Sequence, residues 1–220
     1  SEMCIRDRLP DDRLADVLEE MDESDQVEII EQLDDERVAD VLEQMEPDDA
    51  ADLIAELPQE RGEHLLELME PEDAEDVRLL LSFGADTAGG LMTSDPIILS
   101  AESTVAEGLA MIRRHDTAPA LAAAVCVTLP PYESPTGRYL GLVHFQRMLR
   151  YPPHERLGTL LDTGLEPVQA NTSAAEVARI LASYNLVSVP VVDETHRLVG
   201  VVTIDDVLDY LLPDDWRSHD

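Results

Sequence analysis

Apolar residues recur on one helical face in six successive segments of the first part of the chain. They stand at positions i, i+3, i+4 and i+7 of each segment, the spacing of one face of a helix, with Gln26 and Arg78 as polar exceptions. The segments begin every twelve residues, and proline and acidic residues, which favour first helical turns, lie between them. The six sets are Leu14, Val17, Leu18, Met21; Gln26, Ile29, Ile30, Leu33; Val38, Val41, Leu42, Met45; Ala50, Leu53, Ile54, Leu57; Gly62, Leu65, Leu66, Met69; and Ala74, Val77, Arg78, Leu81.

Six helices of about two turns each follow from this pattern. Isolated helices shorter than ~12–15 residues are marginal in water, so these must stack and bury their apolar faces against one another. We therefore expect a small helical solenoid. Met21, Met45 and Met69 recur at the same position of alternate segments and are expected in the core, not in a metal site.

The second part of the chain is a duplication of a different kind. Thr104 with Glu107, and Ser173 with Glu176, fit the capping box that begins a helix. A short apolar stretch precedes each box, and two further apolar stretches, the last passing into a helix, follow it. The predicted order is β-α-β-β-α, twice. The first copy carries about ten extra residues, mostly 130–137, which predict a longer hairpin loop.

Charge separates the two parts further. The chain has a formal net charge of −33, and its 15 basic residues are all arginine. Residues 1–90 carry 31 acids and 6 arginines, a net charge of −25, whereas residues 91–220 carry 17 acids and 9 arginines, a net charge of −8. A chain this acidic repels nucleic acid and anionic membranes and attracts cations. We therefore expect no nucleic-acid partner.

Two further features concern location. No apolar run approaches the ~18 residues of a membrane-spanning helix, so direct membrane insertion is not expected. The two cysteines, Cys4 and Cys126, form no motif and suggest no disulfide framework. Both observations favour a cytoplasmic protein.

Two stretches carry a resemblance to known families. The stretch VSVPVVDETHRLVGVVTIDDVLDYL, residues 187–211, resembles the end of a CBS domain, and the duplication resembles a CBS pair. The stretch TAGGLMTSDPI, residues 87–97, follows the short acidic helices as the corresponding junction does in the MgtE magnesium transport family. The resemblance implies an α+β protein with four regions: an N-terminal superhelix of short helices at 9–84, CBS domain 1 at 85–150, CBS domain 2 at 151–212, and a tail at 213–220.

The resemblance also implies a function. In that family the helical domain and the CBS pair form a cytosolic magnesium sensor below a membrane pore, and CBS pairs usually dimerise. We expect Mg²⁺ as the ligand, a homodimer through the CBS pair, and a membrane transporter as a further partner. The family's transmembrane region does not follow Leu212 in this sequence, so the chain is either a cut piece of a transporter or a stand-alone relative with no pore of its own. Pro213, Asp214 and Asp215 would interrupt a helix continuing from Leu212, which favours the stand-alone relative.

The residues that the resemblance assigns to magnesium are aspartates. They are Asp86, Asp206 and Asp209, with Asp205 nearby. Magnesium takes hard oxygen ligands and keeps several waters, so one or two carboxylates per ion suffice. The ion would draw the acidic helical region toward the second CBS domain about a hinge at 85–90, where Gly89 and Gly90 stand. The alternative role for Asp206 is stabilisation of a helix start.

Two acids expected from the family are replaced here. Asn185 and Ala175 stand at those positions, so part of the family's magnesium-binding set is missing.

A second hypothesis concerns adenosine nucleotides such as ATP, which many CBS pairs bind. Gly200, Thr203 and Asp206 fit the usual signature, with Thr203 toward a phosphate and Asp206 toward the ribose hydroxyls. The first copy has Gly141 but neither the Thr nor the Asp, so at most one such site per chain is intact. An acidic interaction scaffold is a third hypothesis. An enzyme is not expected, because the chain has no HExxH, CxxC, GxSxG or P-loop motif.

Overall fold

A computed structural model describes residues 10–19, 21, 23–114, 119–162 and 164–212. The chain divides into two compact units, a helical unit that ends at Ser82 and a mixed unit that spans Phe83–Leu212. The predicted α+β class is confirmed, with short helices first and paired small sheets afterwards. The predicted tail at 213–220, with its proline, lies outside the described residues, and so does Cys4.

The described part of the helical unit contains the six short helices that the sequence predicts. Each has 8 to 11 residues and so makes two to three turns. Proline opens two of them, and acids fill most first turns, where they favour the positive end of the helix dipole. The helices are α1 (Asp11–Glu19), α2 (Glu23–Ile30), α3 (Asp35–Leu42), α4 (Pro47–Ala55), α5 (Gln59–Leu68) and α6 (Pro71–Leu81).

The spatial repeat is a pair of helices, not the single helix of the twelve-residue pattern. Helix α1 packs on α3 and α3 on α5, while α2 packs on α4 and α4 on α6. Ion pairs follow the same 24-residue period: Arg37 Nε lies 3.3 Å from Asp11 Oδ1, and Arg61 Nη2 lies 3.0 Å from Asp35 Oδ1. Arg61 also donates to the main-chain oxygen of Ile30 at 3.0 Å.

Two glutamates join successive repeats in the same way. Glu19 accepts the main-chain N–H of Glu46 at 2.8 Å, and Glu43 accepts that of Glu70 at 2.6 Å. Each accepted N–H belongs to the residue directly before a helix. Part of the acidity of this unit therefore has a structural role, which the charge count alone does not reveal.

The predicted core is largely correct, with exceptions on the terminal helices. Val17 of α1 and both Arg78 and Leu81 of α6 are exposed, and Leu80 is buried instead of Leu81. Of the methionines, Met45 and Met69 are buried and Met21 is half-buried, as expected for core residues.

The mixed unit repeats β-α-β-β-α twice, as predicted. Each repeat forms a three-stranded sheet in chain order, with its first two strands parallel and its last two antiparallel. Module 1 comprises β1 (Ile98–Ser100), α7 (Val105–Ile112), β2 (Ala124–Thr128), β3 (Tyr139–His144) and α8 (Phe145–Met148). Module 2 comprises β4 (Val168–Gln169), α9 (Ala174–Tyr184), β5 (Ser188–Val192), β6 (Leu198–Thr203) and α10 (Ile204–Leu211).

The two modules share a core between their sheets. Cys126 and Leu142 of module 1 are buried together with Val192 and Val201 of module 2. The hairpin loop of module 1 runs from 129 to 138, against 193–197 in module 2, so it is longer by five residues. The rest of the about ten extra residues of the first copy lie between the start of its first helix and its second strand.

One predicted capping box is present and the other is not. Thr104 and Glu107 form the box at the start of α7. Ser173 precedes α9 but makes no side-chain cap bond. Main-chain bonds hold this helix start instead, because Ala174 N–H donates to Asp86 O at 2.8 Å and Ala88 N–H donates to Thr172 O at 2.7 Å.

The hinge expected at 85–90 stays a prediction, but the same bonds place its two glycines in a folded turn. Gly89 N–H donates to Ala170 O at 2.8 Å, so the segment is fastened to module 2. A side chain at Gly89 would overlap the ring of Phe83, and one at Gly90 would overlap the carbonyl of Gly84. Both glycines are therefore required by close packing within a folded turn, not by a need for backbone freedom.

Candidate functional site

The candidate site is the turn in which β6 passes into α10. Thr203 ends the strand, is buried, and precedes the first helical residue, Ile204. Ile204 N–H donates to Val187 O at 2.8 Å, which ties the turn to the segment before β5. Because the sequence places two aspartates directly after this turn, their carboxylates lie at the positive end of the helix dipole.

Asp206 closes this turn through one carboxylate oxygen. Its Oδ2 accepts the main-chain N–H of Thr203 at 2.9 Å and lies 2.7 Å from the Thr203 hydroxyl. The same hydroxyl lies 2.8 Å from Asp205 Oδ1. Since a hydroxyl has one hydrogen to donate, it serves one carboxylate at a time. The alternative role of Asp206, stabilisation of a helix start, is therefore present.

The environment of Asp206 disfavours its charged form. Burial raises the pKa of this carboxyl from 3.8 to about 6, against the two hydrogen bonds from Thr203, which lower it. The neighbouring charges of Asp205 and Asp209 raise the pKa further. A cation at this turn would relieve both effects, because it would favour the ionised carboxylate.

Three of the four aspartates predicted for magnesium lie together and the fourth does not. Asp205 and Asp209 are exposed on α10, on either side of the partly buried Asp206 in sequence. Asp86 is exposed too, but its main-chain oxygen accepts from Ala174 at the start of α9. Within the described ranges, no group of three or more His, Cys, Asp and Glu side chains is arranged to hold a metal ion.

The sheet register shows why Asp86 lies apart. Thr203 pairs with Ser188 at one end of β5, whereas Gln169, which precedes the α9 start, pairs with Val192 at the other end. The two ends of β5 are about 13 Å apart at ~3.3 Å per residue. Asp86 and the aspartates of α10 therefore lie near opposite ends of β5.

Asn185, which stands where the family resemblance suggests an acid, has a local structural explanation. It ends α9 in the left-handed conformation, with a φ of 52°. Asn tolerates this conformation better than most residues, so the residue suits the helix end.

The equivalent turn of module 1 has the opposite charge. A fixed offset of 59 residues places Arg147 and Arg150 at the positions of Asp206 and Asp209. There a cavity of about 450 Å³ is lined by His144, Gln146, Arg147, Arg150 and Tyr151. The nucleotide signature shows only that Thr and Asp are missing here. The arginines that replace the acids are a further signal in the sequence, and it indicates the reversed charge.

Across the residues that are described, no helix is both long enough and apolar enough to cross a membrane.

Both parts of the chain match known protein families. Residues 3–86 match the family described as MgtE intracellular N domain, and residues 158–213 match the CBS domain family. The chain is thus a helical N domain followed by CBS modules.

Individual relatives agree with this class. The chain is 35% identical over 135 residues to the magnesium transporter MgtE of Thermus thermophilus, covering 61% of this chain and 29% of that protein. The solved cytosolic domain of the Mg²⁺ channel MgtE in complex with ATP is 31% identical, with a TM-score of 0.80 and coverage of 92% of this chain and 81% of that one. The soluble part of a magnesium transporter, at 22% identity and a TM-score of 0.85, shares the fold. The chain belongs to the MgtE family and spans less than a third of the length of the curated relative.

The raised pKa of Asp206 predicts how stability changes with pH. Because the folded pKa lies above the unfolded value, the protonated carboxyl stabilises the fold below about pH 4, and this stabilisation is lost as the pH rises through about 6. Asp206→Asn keeps a neutral side chain at every pH. The free energy of unfolding of this variant relative to the wild type should therefore increase between pH 4 and 7, by about 2 kcal/mol.

Urea unfolding at several pH values measures this difference. Asp209→Asn removes the same charge from an exposed position of the same helix and should give a much smaller pH-dependent difference. A difference for Asp206→Asn that does not change with pH would contradict the burial effect.

Proposed function

We propose that the chain is a magnesium-sensing regulatory module that works in the cytoplasm and changes conformation when Mg²⁺ binds. Its relatives are an intracellular domain and a cytosolic domain of magnesium transporters, which supports both the ligand and the location. Its role would be regulatory and not catalytic. The transport that it regulates would belong to a membrane partner.

The grouping of Asp205, Asp206 and Asp209 at the start of α10 is the observation that carries this proposal. Two of these carboxylates are exposed and can accept magnesium or its bound waters. Residues 1–90 carry a net charge of −25, and in this proposal they are the second acidic surface that the ion draws toward α10. Like charges near contact repel, and a divalent ion between them removes a repulsion that monovalent salt only screens.

Magnesium binding should therefore depend on the exposed pair on α10. Asp205→Asn with Asp209→Asn leaves the Thr203–Asp206 bonds in place but removes two charges. We expect this double variant to bind Mg²⁺ at least about tenfold more weakly in titration calorimetry and to lose the rise in melting temperature that the ion gives the wild type.

The matched control is Glu133→Gln with Glu194→Gln, which removes two exposed charges elsewhere in the same unit. It should respond to Mg²⁺ as the wild type does. An equal loss in both double variants would mean that the ion senses only total charge, and the site assignment would fail. Asp86→Asn, tested alone, shows whether that residue serves a further ion: a fall in the number of bound ions with unchanged affinity for the rest is the expected result.

An adenosine nucleotide is the second candidate ligand. The relative solved with ATP is 31% identical to this chain, and Thr203 and Asp206 lie together at the β6–α10 turn. We propose that ATP or a related nucleotide binds at most once per chain, with Thr203 toward a phosphate and Asp206 toward the ribose.

Titration calorimetry with ATP should then find one site, weakened about tenfold or more by Asp206→Asn because a hydrogen bond to a charged group is lost. Arg147→Ala, in the cavity of module 1, provides the comparison. Binding that survives Asp206→Asn and disappears in Arg147→Ala would refute the assignment to module 2.

We further propose a homodimer through the CBS pair. Helix α10 leaves Leu208 and Leu211, three residues apart and therefore on one face, exposed to solvent. Such a face is suited to a second copy of the same helix.

Light scattering at tens of micromolar should give a mass near twice 24.4 kDa. Leu208→Asp with Leu211→Asp should halve it, whereas Leu68→Asp, at an exposed leucine of α5, should not. A monomeric wild type would rule out the dimer.

A further inference from the structure

The long hairpin loop of module 1 lies along the outer edge of strand β6 in module 2. Strand β6 stands at the edge of its sheet, so the main-chain groups on its far side need other partners. Thr136 N–H donates to Leu198 O at 3.0 Å, and Leu198 N–H donates to Thr136 Oγ1 at 3.2 Å. Ser134 Oγ donates to Val199 O at 2.8 Å. Residues 134–136 thus take the place of a fourth strand.

Contacts within the loop fix the positions of the Ser134 and Thr136 side chains. Thr136 is 1% exposed. Leu129 N–H donates to Arg138 O at 2.9 Å, and Gly137 N–H donates to Pro131 O at 2.8 Å. A side chain at Gly137 would overlap the carbonyls of Leu129 and Pro130, so the loop closes only with glycine there. The loop is therefore a folded element with its own hydrogen bonds.

Contacts directly after the loop reinforce the attachment. Arg138 pairs with Arg197 in an isolated antiparallel bridge, and Tyr139 N–H donates to His196 O at 3.0 Å. The rings of Tyr139 and His196 meet edge to face, with centroids 6.1 Å apart. These contacts hold the hairpin of module 2 as well as the first residue of β6.

Further along β6, the segment before β1 forms hydrogen bonds with the same edge of the strand. Thr93 N–H donates to Val201 O at 2.9 Å, and Val201 N–H donates to Thr93 O at 3.1 Å. The edge of β6 is therefore bonded to residues from the first half of the mixed unit at Leu198, Val199 and Val201. Thr203, the first residue of the candidate site, lies two residues beyond Val201.

We propose that residues 134–136 form an inter-module clamp, and that Ser134 and Thr136 are positioning residues for the Thr203–Asp206 turn. They touch no ligand in this scheme. They fix the position of β6 against module 1, so that the turn at its end is held in one place and a change at that turn is transmitted to module 1. The proposal concerns the same turn as the proposed function, but its test needs neither magnesium nor nucleotide.

Hydrogen exchange of individual amides tests the clamp in the full chain. Ser134→Ala with Thr136→Val removes the side-chain partners of β6 and keeps the loop length. The Leu198 amide loses its acceptor and should exchange about tenfold faster or more. The Thr203 amide, which donates to Asp206, should also exchange faster, though by less than Leu198, because β6 then loses one of its attachments to module 1 and keeps the Thr93–Val201 pair.

Two variants make the result specific. Tyr132→Ser changes an exposed residue of the same loop and should leave both amides unchanged. Thr136→Ser keeps the hydroxyl and should restore most of the protection that Thr136→Val loses. If the double variant does not fold, Ser134→Ala alone should give a smaller change of the same kind. Unchanged exchange at Leu198 would overturn the clamp, and faster exchange at Leu198 with an unchanged Thr203 would overturn its positioning role.

Discussion

Repulsion between like charges is the constraint under which this chain folds. Residues 1–90 carry 31 acids against 6 arginines, and helices this short cannot stand alone. Two of these arginines offset the repulsion between repeats. Arg37 and Arg61 each form an ion pair with an aspartate at the start of a helix in the preceding repeat. Glu19 and Glu43 hold the residue before a helix of the next repeat. Acids that would otherwise only repel become part of the connections between repeats.

Repulsion between like charges also acts at the candidate site. At the start of α10, Asp205, Asp206 and Asp209 lie on one short helix, and Asp206 is partly buried as well. Burial is the main cause of the raised pKa of Asp206, the charges of Asp205 and Asp209 add to it, and two hydrogen bonds from Thr203 offset part of it. Under the proposed function, a cation would relieve the repulsion among these carboxylates. In module 1, where arginines occupy the equivalent positions, an anion would be favoured instead.

Much of this fold could be predicted from the sequence, because its signals are local. The helical face at i, i+3, i+4 and i+7 located the six short helices that the structure describes, and the duplicated capping pattern located the paired β-α-β-β-α units. Packing partners are not local: the twelve-residue pattern does not reveal that α1 packs on α3, which makes 24 residues the spatial repeat. The glycines at 89 and 90 look like a hinge in sequence, yet Phe83 and Gly84 pack against them.

The site was predictable only in part, for a related reason. The motif around Thr203 gave its residues correctly as neighbours, since they lie within one helical turn. The position of Asp86 depends on the bonds between residues 86–89 and the start of α9, which no motif encodes. The contact of Thr136 with β6 joins residues 62 apart, and the sequence showed this stretch only as a loop.

The most direct test of the account is the radius of gyration in solution, measured by X-ray scattering with and without magnesium. If magnesium joins acidic surfaces that otherwise repel, millimolar MgCl₂ should reduce the radius, and NaCl at equal ionic strength should not. The variant Asp205→Asn with Asp209→Asn should show a weaker reduction. One radius in every buffer would contradict magnesium-dependent closure and leave an acidic scaffold with a fixed shape.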